Sequence, residues 1–170
     1  MKQFWDDILT ASENSSKACL ATVIATEGTA PRKEGSKMLI IGGETLKGAV
    51  TIGGCIDAQV IEAAEGVTRT GEPRLLRAEL GEEDAFEIGL TCAGALRVLI
   101  EPVKLEPKIF LQLRHALKDG APFALLTVTR SSLLSIKPAN KIMVSSSGRV
   151  YGSLGDDRLD SMAEIGRAHV

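Results

Sequence analysis

The sequence predicts an α+β fold: one or more mixed β-sheets with flanking helices, built as two similar strand–loop–strand–helix halves. Three observations predict it. Short apolar runs rich in Val, Ile and Leu are bounded by glycine and proline, as buried strands are. Between them, other segments place apolar residues at helical spacing. The pattern of the first half then returns in the second.

The elements follow in order. Phe4, Trp5, Ile8 and Leu9 share one face of a short helix. Residues 18–26 (ACLATVIAT) read as a buried strand, and residues 29–35 as a polar loop punctuated by Pro31 and Gly35. Residues 37–41 and 46–51 read as a hairpin around a Gly42–Gly43–Glu44–Thr45 turn. Ile56, Val60, Ile61, Ala64 and Val67 keep helical spacing until Gly71 and Pro73 stop it. Residues 74–80 and 95–103 are the next strands. Pro107 opens a helix with Ile109, Phe110, Leu113, Ala116 and Leu117 on its apolar face, and Gly120 closes it. Residues 123–129, 141–145 and 149–154 are further strands.

The internal echo is specific. ATVIAT…SKMLIIGGETLKGAV…ID resembles ALLTVTR…NKIMVSSSGRVYGSL…LD, with Lys37 opposite Lys141 and Gly48 opposite Gly152. Two copies are too few for a solenoid, so the echo predicts a pair of similar halves. They differ at one place. The first copy has Ile52-Gly53-Gly54-Cys55 where the second has Gly155-Asp156-Asp157, so one copy is expected to be the reactive one.

Composition narrows the function. Of 170 residues, 44% are hydrophobic and 25% charged, a globular balance that suits one domain. The net charge of -2 supplies no basic stripe for a phosphate backbone, so nucleic acid is not expected. No apolar run reaches the roughly 20 residues of a membrane span. The N-terminal MKQFWDDILTASENSS has no secretory apolar region, and the chain reads as cytoplasmic. Residues 164–170, EIGRAHV, match the in-frame translation of a short-read sequencing adapter. The expected domain is therefore residues 1–163, with 164–170 a non-native tail.

Three cysteines, Cys19, Cys55 and Cys92, form no CxxC pair and suggest neither a disulfide framework nor zinc. Gly53-Gly54-Cys55 falls between a strand and a helix. There the helix dipole and free N–H groups favour a thiolate or an anion, which the charge of Asp57 partly opposes. A small buried cysteine filling the turn is the other reading. Cys92 and Gly94 lie on a second glycine-flanked turn, Gly89–Gly94. Cys19 lies inside an apolar run and belongs to the core. Glu27, Arg32 and Lys33 place charge in or beside the 29–35 loop.

Taken together, ATVIATEGTAPRKEGSKMLI, GGCID, GEPRLL, IGLTCAGALRVLIEP and GSLGDDRLD resemble the N-terminal domain of the XdhC/CoxI family in order and spacing, over roughly residues 1–163. These are accessory proteins of xanthine dehydrogenase, carbon monoxide dehydrogenase and related molybdenum hydroxylases. The resemblance implies a non-catalytic maturation factor that binds the molybdenum cofactor (molybdopterin) transiently and delivers it to an apo molybdenum hydroxylase. It implies Cys55 as the thiol that contacts molybdenum or its sulfur, with Gly53 and Gly54 allowing close approach. Cys92 and Gly94 would form the opposing turn, and Glu27 and Arg32 the rim. A cysteine desulfurase and a second copy of the chain are further candidate partners. The sequence departs from the family pattern at Ile52, Asp57 and Ala93, and lacks the Rossmann-like domain with which many members continue. Two other functions stay open: a cysteine-dependent sulfur carrier or thiol enzyme, and a non-catalytic interaction module.

Overall fold

The computed structural model describes residues 2–14, 17–28, 30, 32–51, 55–80, 94–133 and 136–165. The fold is α+β, with four helices and two sheets among the described residues. The elements are α1 (Lys2–Asn14), β1 (Ala18–Gly28), β2 (Lys37–Ile41), β3 (Glu44–Gly48), α2 (Cys55–Thr70), β4 (Arg74–Leu80), β5 (Gly94–Pro102), α3 (Pro107–Asp119), β6 (Phe123–Thr127), β7 (Lys141–Ser145), β8 (Val150–Ser153) and α4 (Asp157–Ile165). Two compact units divide the chain: residues 11–103, and residues 1–10 together with 104–170.

In the first unit the strand order is β3-β2-β1-β5-β4. Mixed pairing was expected, yet every described pair is antiparallel. The connections explain this. Hairpin-type links join β1 to β2, β2 to β3 and β4 to β5, and each reverses the chain. The one helical crossover, α2, carries it from edge strand β3 to edge strand β4. Strands that run in the same direction therefore never become neighbours. Helix α2 lays Ile56, Val60, Ala63, Ala64 and Val67 on the sheet, against Cys19, Ala21, Val23, Met38, Ile40, Ala78, Leu96, Val98 and Ile100. Burying each larger aliphatic side chain contributes roughly 1.5–3 kcal/mol.

The hairpin between β2 and β3 is tighter than the sequence suggested. Ile41 pairs with Glu44, so the turn is Gly42–Gly43 alone. Both glycines have positive φ, 62° and 87°, the geometry of a two-residue turn matched to strand twist. The strand then ends at Gly48 rather than Thr51, freeing Val50 and Thr51 to turn into the core.

The second unit holds the three-stranded sheet β6-β7-β8. Alternation along β7 sorts its two faces. Met143 packs with Ile109, Leu113 and Leu117 of α3 and with Leu9. Ile142 packs on the other side with Leu154, Leu159 and Ala163. Trp5 meets Phe123 edge to face, with ring centroids 5.7 Å apart. Helix α3 ends at Gly120 in the left-handed region (φ 66°), whose N–H closes onto the Ala116 carbonyl.

Among the described residues the sheets have five strands and three, so the two similar halves expected from the sequence are not shown. Local details nevertheless recur. Lys37 Nζ donates to Thr22 Oγ1 at 3.4 Å, and Lys141 Nζ to Thr127 Oγ1 at 3.3 Å. Gly48 and Gly152 both have positive φ, 79° and 87°.

Gly152 has less room for a side chain than Gly35, Gly42, Gly43, Gly66, Gly71 or Gly120. A Cβ there would lie 2.6 Å from both the Lys141 carbonyl oxygen and Ile109 Cδ1. Gly120 has open space around it and carries only its left-handed backbone. Gly152→Ala should therefore cost roughly 2–4 kcal/mol, and Gly120→Ala about 1–2 kcal/mol. Urea unfolding of the two variants measures the difference, and equal midpoints would contradict the packing account.

Candidate functional site

The topology gathers the candidate segments at one end of the five-stranded sheet. Strands β1, β3 and β4 run toward that end, and β2 and β5 start from it. The connections 29–36, 49–54 and 81–93 therefore all leave it, and α2 begins beside it with Cys55 as its first residue. Gly53, Gly54 and Cys92 lie outside the described residues, as does the side chain of Cys55. Gly94, the first residue of β5, pairs with Gly28 at the end of β1.

Arg32 is held by a loop folded back on β1. Gly35 N–H donates to the Val23 carbonyl at 2.8 Å, and Val23 N–H to the Ser36 carbonyl at 2.9 Å. Thr26 Oγ1 donates to the Glu34 carboxylate at 2.5 Å and holds that carboxyl below its ordinary range. From this loop, Arg32 Nε donates to the Thr51 carbonyl at 2.9 Å. Thr51 N–H donates to Asp57 Oδ1 at 3.0 Å. Thr51 is 3% exposed, so both of its backbone polar groups need such partners. The structure thus joins Arg32, Thr51 and Asp57 at the start of α2.

Glu27 goes elsewhere. Strict alternation would put it on the α2 face with Cys19, Ala21 and Val23. A register shift between Val23 and Ala25 reverses the sides. Glu27 now pairs with Ala95, on the face of Arg97 and Arg77. Arg97 Nη2 donates to Glu27 Oε1 at 2.5 Å, and Arg77 Nη2 to Oε2 at 3.1 Å. Arg77 also pairs with Glu79. Neither arginine was singled out from sequence, although Arg97 is the one exposed position inside the apolar run of β5.

Cys19 is a core residue, 1% exposed. Its Sγ lies 3.2 Å from Thr68 Oγ1 and 3.6 Å from the Ala64 carbonyl oxygen. Burial pushes this thiol up, and the Thr68 contact opposes only part of that. Among the described residues no three His, Cys, Asp or Glu side chains gather as a metal site. No described helix is long and apolar enough to cross a membrane.

The model of the XdhC and CoxI family matches residues 11–79. The uncharacterized protein YqeB of Escherichia coli (strain K12) is 25% identical over 99 residues, 58% of this chain and 18% of that protein. A crystal structure described as a xanthine dehydrogenase from Bacillus halodurans superposes with a TM-score of 0.63 at 22% identity, covering 86% of this chain and 44% of that one. At that identity the likeness is one of fold. The chain spans less than half the length of either relative.

Two outcomes follow. The Glu27 carboxyl is held below the ordinary range, first by the Arg97 hydrogen bond and then by Arg77. Its stabilising contribution is thus present above the unfolded glutamate value and lost as pH falls through the folded one. In a carboxyl NMR titration Arg97→Ala should raise the Glu27 midpoint more than Arg77→Ala, and an unmoved midpoint would exclude the pairing. Cys19 should resist alkylation at neutral pH until the protein is unfolded; labelling at the native rate of a free thiol would contradict its burial.

Proposed function

From the XdhC/CoxI family domain that this chain carries across residues 11–79, we propose that the protein is an accessory factor that takes the molybdenum cofactor as cargo and hands it to an apo molybdenum hydroxylase such as xanthine dehydrogenase. One observation carries the reading: the matched segment contains Glu27, Arg32, Gly53, Gly54 and Cys55, and the fold directs their segments to one end of one sheet. The donor set suits the cargo. A thiolate at Cys55 is a soft partner for molybdenum or its terminal sulfur. Backbone N–H groups in the first turn of α2 suit the pterin phosphate. Arg32 Nε donates to the Thr51 carbonyl, so its guanidinium brings positive charge to the residue that Asp57 of α2 also bonds. Cys92 and Gly94 would face them from the other connection. Glu27, committed to Arg77 and Arg97, would shape the neighbouring face rather than touch the cargo.

A contrast with α4 supports an anionic group at α2. Two residues after Leu154 stands Asp156, whose carboxylate accepts the N–H groups of Arg158 at 3.0 Å and Leu159 at 3.1 Å. Two residues after Thr51 stands Gly53, which has no side chain to do the same. Helix α4 supplies its own capping carboxylate from that position, and α2 does not. The protein itself turns nothing over in this reading. A cysteine desulfurase would supply sulfur to the cargo while it is held.

The test is cofactor retention. The full chain is co-expressed with a functioning molybdenum-cofactor pathway, purified, and assayed for molybdenum and released pterin beside Cys55→Ala. Near-stoichiometric cofactor in the wild type and its loss in the variant is the expected result. Persulfide on Cys55 with no pterin would instead establish a sulfur carrier, and equal retention in the two proteins would remove Cys55 from the site.

A further inference from the structure

We infer that Asp57 is a positioning residue: its carboxylate and Arg32 hold the two ends of one peptide residue, Thr51, and so fix where α2 begins beside its cargo. The inference rests on the function proposed above.

The geometry is a clamp with two jaws. Asp57 Oδ1 accepts from the Thr51 N–H at 3.0 Å, and Arg32 Nε donates a hydrogen bond to the Thr51 carbonyl at 2.9 Å. Asp57 stands in the first turn of α2, so the first bond closes a ring from Thr51 through Cys55 back to Thr51. Arg32 ties that ring to the loop that follows β1. The residue between the jaws is nearly inaccessible, and Val50 before it is fully buried, so water offers neither bond a substitute.

The second unit carries the same device. Leu154 N–H donates to Asp160 Oδ1 at 2.7 Å, and Asn140 Nδ2 donates to the Leu154 carbonyl at 3.1 Å. In both places the acceptor is an aspartate six residues on, in the helix that follows (51 to 57, 154 to 160), and the donor to the carbonyl comes from an earlier strand-to-strand connection, β1 to β2 for Arg32 and β6 to β7 for Asn140. The recurrence separates two roles an acidic residue could have beside a reactive cysteine. At Leu154 no cysteine follows, yet the aspartate is present. Its work there is to hold the turn, and Asp57 does the same work. What distinguishes the first unit is the sequence between the clamped residue and its aspartate, which contains Gly53-Gly54-Cys55, and the donor that closes the clamp. Arginine in place of asparagine satisfies the carbonyl and still has charge to offer an anion.

A positioning role predicts that the acceptor oxygen matters and the charge does not. Asp57→Asn keeps an oxygen for the Thr51 N–H, and Asp57→Ala removes it. In the full chain, amide hydrogen exchange of peptides covering residues 49–57 should quicken at least about tenfold in Asp57→Ala, as loss of a buried hydrogen bond to a charged group does. Asp57→Asn should stay within about threefold of wild type, on the scale of one neutral hydrogen bond. Cofactor retention should fall in Asp57→Ala and persist in Asp57→Asn. Asp160→Ala, the matching change in the second unit, should quicken exchange around residue 154 and leave retention alone. If Asp57→Ala does not fold, Arg32→Ala opens the other jaw from an exposed side chain, and its exchange at residues 49–57 decides.

Exchange at residues 49–57 unchanged in these variants would overturn the clamp. Faster exchange in Asp57→Ala with full cofactor retention would overturn its positioning role. Asp57→Asn failing like Asp57→Ala in both readouts would show that the charge is what counts, and would overturn it too. If the wild type retains no cofactor, the proposed function fails, and the exchange comparison alone upholds or overturns the clamp.

Discussion

Strand β1 is hydrogen-bonded along both of its edges, and the five-stranded unit depends on that pairing. Its residues 18–22 pair with β2 on one side, and residues 19–28 pair with β5 on the other, the register slipping once between Val23 and Ala25. A strand so committed leaves few backbone donors or acceptors unsatisfied, which is what allows Ala18, Cys19, Leu20, Ala21 and Val23 to be buried. The other strands take their positions from it. β2 brings β3 to one edge, β5 brings β4 to the other, and α2 must span the sheet to connect those edges. The apolar stripe of α2 is the consequence, since a helix crossing a sheet stays in place only by burying a face.

The same strand decides which chemistry meets which. Up to Val23 its odd-numbered side chains face α2. Beyond the register shift they do not, and Glu27 is delivered to Arg77 and Arg97 instead. One extra residue in a strand thus separates a carboxylate from a cysteine that sequence spacing would have put on the same face. Arg32 remains with α2 because the loop after β1 folds back on Val23, before the shift.

Much of this was legible in the residues, and the failures have physical causes. α2 and α3 were readable because Ile56, Val60, Ala64 and Val67, and likewise Ile109, Leu113 and Leu117, keep one period over several turns between clear stops. The boundaries of β2 and β7 were readable from charged or polar ends around apolar centres. The length of the β2–β3 turn was not, because Glu44 and Thr45 are as much at home in a strand as in a turn, and only the positive φ at Gly42 and Gly43 resolves it. Antiparallel pairing throughout was hidden because a strand–helix–strand pattern looks the same whether its strands end as neighbours or at opposite edges. Of the candidate site, the loop that carries Arg32 was readable and the partner of Arg32 was not: a hydrogen bond to the Thr51 carbonyl leaves no mark on residue identity. The shared Ile56-Asp57 and Leu159-Asp160 pairs of the internal echo did mark the clamp, as a coincidence of spacing whose meaning needed coordinates.

The division of the chain into units bears on its birth as well as its final state. Residues 11–103 are contiguous, so that unit has all of its sequence once Val103 has cleared the ribosome. Residues 1–10 belong with residues 104–170, and they are made before residues 11–103. At about 5–20 residues per second, Trp5 and Leu9 then wait roughly 2–8 s after Val103 for Met143, in whose cluster they pack. During synthesis residues 1–10 therefore stay unenclosed after residues 11–103 have all of their sequence, an apolar segment that ribosome-associated chaperones would meet before its own partners exist.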